Sequence, residues 1–294
     1  MLSYPKLVRL LVAAVLASPT VHVRSTQTLP LALNQGVARV PGGWVLSGTN
    51  SSQPRSDVLV RTDDRLRPVV TRRPAIPDEW RARGYTHVGD IDVVGGIVYA
   101  PFEQPNYDLG HQAMARYDSR TLQFLDAVEV PQHEDSFVSV DPATMVAITM
   151  DHFDGDSLLR YQVDAGWRPL PPLPMSTTLH STQGASVSGK VLWISTSDAR
   201  NRLFRVELTT GQAAPAGTLG PDGEGEGVDA SRLRSGLVHA IVNHPTAGKA
   251  LFEHLDASRR SRGLTWVQWT GLGLLGAAVV LPVVAVVTRR RRRT

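Results

Sequence analysis

Short apolar stretches alternate with turn residues through the middle of the chain, between positions 21 and 256. Ile97–Ala100, Met145–Ile148 and Val191–Ile194 are apolar runs that follow turns such as Gly95-Gly96 and Ser188-Gly189. Runs of this length between turn signals are typical of β-strands. The 3.6-residue period of an amphipathic helix is not seen outside the terminal segments, so the pattern predicts an all-β domain.

A five-residue motif recurs along this domain at nearly constant intervals. It consists of an apolar residue, any residue, an arginine and a polar or aromatic residue, often followed by an acid. The copies are centred on Arg61, Arg116, Arg160 and Arg205, with a degenerate copy centred on Glu253. Their spacings of 55, 44, 45 and 48 residues indicate a repeat architecture.

A second landmark lies 20 to 30 residues before each copy of the arginine motif. It is a small residue that opens a strand-like run, in most copies after a polar residue. The five copies are Gln35-Gly36, Val88-Gly89, Asp135-Ser136, Gln183-Gly184 and Glu226-Gly227. Because the two landmarks recur in phase, we expect each unit to contain four strands, with the small residue on the innermost one.

Four strands per unit, repeated radially, predict a β-propeller, which leaves only short protected sheet edges. Five units are visible over residues 21–256, so we expect five blades; a sixth would require a degenerate blade around Arg72–Arg83. Val21–Leu33 is expected to supply a strand that closes the ring. Helical repeats of the same period are the alternative, and the density of Gly, Pro and Val argues against them.

Both ends of the chain carry membrane-directed segments. Lys6 and Arg9 flank an apolar stretch from Leu7 to Ala17, which has the length of a signal-peptide core, so residues 1–17 are predicted to be a cleaved leader. An uncleaved N-terminal anchor is the alternative. Leu264–Val287 has 24 residues without a charge. As a helix it would reach ~36 Å, enough to cross the hydrocarbon core.

The two segments together predict the topology. Residues 21–256 are expected outside the cytoplasmic membrane, followed by a linker at 257–263, a single transmembrane helix at 264–287 and an arginine-rich cytoplasmic tail at 288–294. Trp266 and Trp269 lie at the outer edge of the helix, where indole rings favour the membrane interface. The bilayer is therefore the first predicted partner.

Charge and cysteine content exclude several classes of protein. The formal net charge is +4, but eight of the 31 basic residues lie in the leader region and the C-terminal tail. The remaining 23 basic residues face 27 acidic ones, so a basic nucleic-acid surface is not expected. The chain has no cysteine, which excludes disulfides, thiolate metal sites and a cysteine nucleophile.

Several short motifs resemble those of known propellers. They are Glu226-Gly227-Val228 ending at Asp229, Arg116-Tyr117-Asp118 within Met114–Leu122, and Arg205–Leu208 followed by Thr210-Gly211. At the level of fold, the chain resembles secreted bacterial propellers of the YVTN/NHL, strictosidine-synthase/gluconolactonase-like and phytase-like kinds. In enzymes of that kind, the resemblance implies a metal in the central channel, held by carboxylates and amides of several inner strands.

The residues before and after each small residue are the candidates for chemistry. Asp90 and Asp92 alternate on one predicted strand, with His87 before them and Glu103 after the next strand. This alternation predicts that both carboxylates lie on one face of the strand, where they could share a calcium ion. The predicted metal ligands are Asp90, Asp92, Glu134, Asp135 and Glu226.

A polar ring is predicted at one mouth of the channel, because the same position recurs in each repeat. Its expected members are Gln35, His87, Asp90, Glu134, Asp135, Gln183 and Glu226, with Glu224 able to join the same face. The alternative is a water-filled channel in which these groups bond to blade backbones. Asp151–Asp156 resembles a calcium loop but has Phe153 where an oxygen ligand is required, so a hairpin turn is favoured there.

Two functions follow from these patterns. The first is a membrane-anchored domain at the cell surface that binds an extracellular protein or glycan. The second is a hydrolase or lactonase-like enzyme that uses a divalent cation at the channel mouth. No G-x-S-x-G, HExxH or P-loop motif is present in the sequence, and no GxGxxG follows a predicted strand. We favour binding, because a metalloenzyme should repeat its ligand residues on more of the inner strands.

Overall fold

The computed structural model describes residues 21–50, 53–104, 107 and 110–258. This part of the chain forms five antiparallel sheets, one for each repeat, arranged as the blades of a β-propeller. The prediction of an all-β propeller is therefore confirmed. The first strand, β1 (His22–Pro30), belongs to the last blade, and the other strands fill the blades in chain order.

Blades one to three run from the inside of the ring to the outside. Blade one contains β2 (Gly36–Val40), β3 (Gly43–Gly48), β4 (Val58–Asp63) and β5 (Pro68–Arg72). Blade two has a divided inner strand, and consists of β6 (His87–Val88), β7 (Asp92–Val94), β8 (Ile97–Glu103), β9 (Gln112–Asp118) and β10 (Phe124–Val130). Blade three contains β11 (Ser139–Asp141), β12 (Val146–Thr149), β13 (Asp154–Gln162) and β14 (Arg168–His180).

Blades four and five complete the ring. Blade four contains β15 (Thr182–Ser188), β16 (Val191–Thr196), β17 (Arg202–Glu207) and β18 (Ala213–Thr218). Blade five contains β19 (Glu224–Asp229), β20 (Leu237–His244) and β21 (Lys249–Asp256), with β1 as its outermost strand. Among the described residues, the short helices include α1 (Asp78–Arg81) and 3-10 turns at Val163–Ala165, Leu233–Ser235 and Pro245–Ala247.

The N-terminal strand closes the ring, as predicted for Val21–Leu33. β1 pairs antiparallel with β21 from His22↔Asp256 to Pro30↔Lys249. The sheet therefore contains strands from both ends of the domain. The six-blade alternative is wrong, because Arg72–Arg83 forms the end of β5, a connection and α1 rather than a sheet.

The arginine motif lies on the third strand of every blade, on β4, β9, β13, β17 and β21. In that motif the apolar residue two positions before the arginine packs inward. Leu59, Leu158 and Leu203 have no exposed surface. The motif therefore reflects the alternation of side chains between the two faces of a strand that packs between two neighbouring blades.

Apolar side chains fill each of the five boundaries between blades. Trp44 and Val37 of blade one, for example, pack with Phe252 and Ile241 of blade five. The other four boundaries have comparable clusters within the described residues. Because every blade buries apolar surface only against its neighbours, the ring is stable only when all of them are present.

The described part of the chain contains no helix long and apolar enough to cross a membrane. The predicted leader at 1–17, helix at 264–287 and tail at 288–294 lie outside the described residues, as does the linker after Ser258. The last described residues leave β21 at the end that pairs with Leu237. That end is opposite to Lys249, where β21 begins beside the 3-10 turn at Pro245–Ala247.

Candidate functional site

A cavity of about 590 Å³ opens at one end of the channel, where the inner strands begin and the second strands end. All five blades contribute to its wall. It is lined by Leu31, Asn34, Gln35, Thr49, Asn50, Thr86, His87, Glu103, Tyr107, Ser136, His152, Gln183, Glu224, Glu226, Asn243 and Pro245. Most of these side chains are polar, so the cavity can offer hydrogen bonds and charge to a small ligand.

Four residues of the predicted polar ring meet in this cavity, namely Gln35, His87, Gln183 and Glu226. The Nε2 atom of His87 lies 2.9 Å from Oε1 of Gln35, which joins blades one and two across the opening. Gln183 donates from Nε2 to the hydroxyl of Ser197 at 3.1 Å. In these four cases the residue one or two positions before the small residue of the repeat faces the opening.

Asp90 does not line the cavity but lies at the centre of the ring, where it is 1% exposed. Its Oδ1 accepts the backbone N–H groups of Val37 at 3.0 Å and Ile91 at 2.9 Å. Its Oδ2 accepts those of Ala185 at 3.0 Å and Val228 at 3.2 Å. One carboxylate therefore binds the inner strands of blades one, four and five to its own blade.

The glycines of the repeat are required by this arrangement. A Cβ atom on Gly227 would lie 2.5 Å from Oδ1 of Asp90 and 2.7 Å from the Cα of Gly36. A Cβ atom on Gly184 would lie 2.6 Å from Oδ2 of the same carboxylate. The small residue that marks each repeat in the sequence thus lets the inner strands approach the axis closely.

The electrostatics of Asp90 combine two opposed effects. Burial raises the pKa of its carboxyl well above the ordinary value, because the charged form loses its hydration. Each of the four backbone N–H donors lowers that pKa, because it stabilises the carboxylate. Both oxygens are saturated by these bonds, so the carboxylate has its partners within the protein.

Asp92, predicted to share a cation with Asp90, makes a separate set of bonds. Its Oδ2 accepts the hydroxyl of Ser139 at 3.0 Å and the backbone N–H of Val140 at 2.8 Å. Burial raises the pKa of Asp92 to about 6, and these bonds oppose the rise. Asp92 therefore joins blade two to blade three, and within the described residues it shares no hydrogen-bond partner with Asp90.

Glu134 and Asp135 lie beside the cavity rather than on its wall. Glu134 accepts the backbone N–H of Phe153 through Oε2 at 3.0 Å. Asp135 is completely buried, and neither of its carboxylate oxygens has a hydrogen-bond partner within the described residues. Burial raises its pKa well above the ordinary value, and the nearby charge of Glu103 raises it further.

The described residues contain no group of three or more histidine, aspartate or glutamate side chains that could hold a metal ion. The predicted calcium ligands are spread over different surroundings: Asp90 at the axis, Asp92 between blades, Glu134 and Asp135 behind the wall, and Glu226 in the cavity. The calcium site therefore stays a prediction from the sequence.

Three carboxylates face the cavity, from Glu103, Glu224 and Glu226. Burial raises the pKa of Glu103, and burial followed by the charge of Glu224 raises that of Glu226. Burial and the neighbouring His152 lower the pKa of His87 to about 4, so this imidazole is neutral at pH 7. All the lining residues lie in the described part of the chain, and none of them is lysine or arginine.

Sequence reasoning missed the second half of the wall, contributed by the ends of the second strands. Thr49, Glu103, His152 and Asn243 follow or end β3, β8, β12 and β20. The available signal was a polar residue at the end of each of these apolar strands. Of these four, Glu103 is a candidate from the sequence because it ends the strand after Asp92, and His152 enters only as part of the Asp151–Asp156 turn.

No protein-family model matches the chain, and no curated protein matches its sequence. Among solved structures, glutaminyl cyclase from Myxococcus xanthus is similar with a TM-score of 0.57 and 12% identity. The match covers 81% of this chain and 97% of that one. A luciferin-regenerating enzyme gives a TM-score of 0.49 at 9% identity, over 76% of this chain and 77% of that one. The cyclase match supports the propeller fold, and the specific families named from the sequence are not confirmed.

Proposed function

We propose that the chain is a membrane-anchored, extracytoplasmic β-propeller that binds a small organic cation in the cavity. The observation that carries the proposal is the composition of the described wall: three carboxylates, several amides and no lysine or arginine. Asn34, Gln35, Gln183 and Asn243 provide the amides. Carboxylates with fixed amide neighbours recognise an amine by charge and by hydrogen bonding.

The raised pKa values support a cation as the ligand. Carboxylates held close together in a buried site relieve their repulsion either by keeping a proton or by binding a positive charge. Burial raises the pKa values of both Glu103 and Glu226. A bound cation would take the place of these protons, so we expect binding to release protons and to strengthen as the pH rises.

The anchor is part of the proposal and rests on the sequence of the two ends. The described chain leaves the propeller at Asp256, which pairs with Leu237. This is the end of β21 away from the cavity, since Pro245, which lines the cavity, precedes the start of that strand. We propose that the cavity takes either a free amine or the amine of an extracellular protein or glycan.

The test is calorimetric titration of the full chain in detergent with putrescine, and with 1,4-butanediol as the uncharged counterpart. We expect putrescine to bind more tightly at pH 8 than at pH 5, and the diol not to bind. Glu226→Gln should weaken putrescine binding about tenfold or more, which is the effect of losing one charge-assisted bond. Glu79→Gln, on the exposed face of α1, is the matched control. Failure of putrescine and of other simple amines to bind would overturn the proposal.

A second candidate function, an enzyme, is favoured by the surroundings of Glu103. Its side chain is 7% exposed, faces the cavity and accepts the hydroxyl of Tyr107 at 3.2 Å. A buried carboxyl with a raised pKa retains a proton at neutral pH and can donate it to a substrate. The hydrolase or lactonase-like activity considered from the sequence would use this group, with or without calcium.

The enzyme candidate is tested by turnover of ester and lactone substrates. We expect Glu103→Gln to abolish turnover if Glu103 supplies the proton. If a chelator lowers turnover by the parent chain, the calcium form of the proposal is supported. If turnover is unchanged by the chelator, the metal-free form is supported. Equal turnover by Glu103→Gln and the parent would remove Glu103 from this role.

A further inference from the structure

An aromatic corner lies at the edge of the cavity, formed by Tyr107, His152 and Phe153. Tyr107 and His152 line the cavity. The ring of Phe153 lies 6.0 Å from that of Tyr107 at an interplanar angle of 90°, and 4.5 Å from that of His152. Phe153 is 51% exposed, although a phenyl ring of this size normally seeks burial. The exposed ring is therefore available to a ligand.

The turn that carries Phe153 is fixed by hydrogen bonds. The backbone N–H of Phe153 donates to Oε2 of Glu134 at 3.0 Å, and its carbonyl accepts the N–H of Ser181 at 3.2 Å. The preceding His152 lies 2.7 Å from the carbonyl of Thr182 through Nδ1. Phe153 is also the residue that disqualifies Asp151–Asp156 as a calcium loop. The rigid turn presents an aromatic face where a calcium loop would present an oxygen.

Tyr107 is oriented by the cavity itself, because its hydroxyl donates to Oε2 of Glu103 at 3.2 Å. The corner therefore combines two perpendicular ring faces with the carboxyl of Glu103 beside them. Ring faces carry partial negative charge and attract a cation within about 6 Å of the ring centre. A methylated ammonium suits such a corner, since its charge is spread over methyl groups that need no hydrogen-bond acceptor.

We propose that the aromatic corner selects a quaternary ammonium ligand, with its methyl groups against Tyr107 and Phe153 and the rest of the molecule in the cavity. This inference rests on the proposed function, because it names the class of cation that the same site takes. Glu103 and Glu226 supply the opposite charge, and the amides of the wall line the space that the rest of the ligand would occupy.

The experiment compares choline with 3,3-dimethylbutan-1-ol, its uncharged counterpart of the same shape, by calorimetric titration of the full chain in detergent. We expect choline to bind and the alcohol to bind at least about tenfold more weakly. Putrescine is titrated in parallel, because it tests cation binding without methyl groups.

Two variants distinguish the contribution of the aromatic ring face to choline binding from that of apolar volume alone. Phe153→Leu keeps an apolar side chain but removes the ring, and it should weaken choline binding about fivefold to thirtyfold. Putrescine binding should change less than about twofold. Leu125→Ala, at an exposed apolar position of β10, is the matched control. A thermal melt of each variant shows whether it is folded.

The outcomes distinguish this inference from the function on which it rests. Equal binding of choline and its uncharged counterpart, or unchanged choline binding in folded Phe153→Leu, would overturn the quaternary ammonium proposal. Binding of putrescine in the same experiment would leave the proposed function standing. Failure of both cations to bind would overturn both.

Discussion

At the scale of the residue, Asp90 shows how an acid that looks like a metal ligand can serve the fold instead. Its four N–H partners belong to Val37, Ile91, Ala185 and Val228. Three of these residues lie 53, 95 and 138 positions away in the chain. The sequence showed an acid after a small residue, but the convergence of distant backbone donors becomes visible only in the closed ring.

The first prediction concerns Asp90→Asn. The amide would place N–H donors against the N–H groups that the carboxylate now accepts, so bonds would be lost and donors left unpaired. We expect the free energy of unfolding to fall by about 3 kcal/mol, in calcium and in chelator alike. Guanidinium melts measure it, with the exposed Asp222→Asn as control. A loss confined to the calcium sample would instead support the metal site, and unchanged stability would contradict the structural role.

The second prediction concerns Asp135, whose two oxygens are buried without partners. Because its pKa is raised in the folded state, its contribution to stability is fully present below the unfolded pKa of about 4. That contribution is lost as the pH rises toward the folded pKa. The loss is at most about 1.4 kcal/mol for each pH unit.

Asp135→Asn removes this titration while keeping the shape of the side chain. We therefore expect the variant and the parent to have similar stability near pH 4, and the variant to be the more stable at pH 7. Urea melts between pH 4 and pH 8 give the two profiles, and Asp222→Asn, at an exposed position, serves as the reference. Parallel profiles for Asp135→Asn and the parent would show that this carboxyl does not cause the pH dependence.

At the scale of the element, a strand could be predicted where the residues of that strand alone produce the sequence pattern. The arginine motif marked the third strand of every blade because alternation along one strand places its apolar residues between blades. The divided inner strand of blade two was not predictable. There β6 and β7 both pair with β8, and Asp90 between them forms a parallel bridge with Phe137 of the next repeat.

The inner strands give the third prediction, Gly227→Ala. A Cβ at this position overlaps the Asp90 carboxylate and the backbone of Gly36. Neither group can move without disturbing the packing of the inner strands around the axis. We expect the free energy of unfolding to fall by about 3 kcal/mol, which is at the upper end of the range for overpacked cores. Gly42→Ala is the comparison, because that turn glycine has φ +74° but open space around it, so only the conformational cost of about 1 kcal/mol remains. Equal effects in denaturant melts would show that close packing at the axis is not the reason for the glycine.

At the scale of the whole molecule, the repeat period and the two phased landmarks were enough to predict five blades and the closing strand. The site was predictable only in part. Gln35, Gln183 and Glu226 share one position of the repeat and meet in the cavity with His87, which lies one residue before that position. Tyr107 and Phe153 come instead from loops between strands. The residues of loops do not follow the repeat period of the sequence. Whether two such residues come into contact therefore depends on the angle between neighbouring blades.

Closure of the ring gives the last prediction. β1 is exposed along most of its length, but Leu29 is buried with the cluster between blades five and one, and Val21 donates its N–H to Ala216 of blade four. Deleting residues 21–33 would leave β21 as an unpaired edge and open that cluster. We expect the free energy of unfolding to fall by several kcal/mol, the size of losing a core element. A synthetic peptide of residues 21–33 should restore the melting temperature by pairing with β21, while a scrambled peptide should not. An unchanged melt after the deletion would mean that the strand is not needed for closure, whereas a loss that the native peptide repairs would locate the closure at β1 and β21.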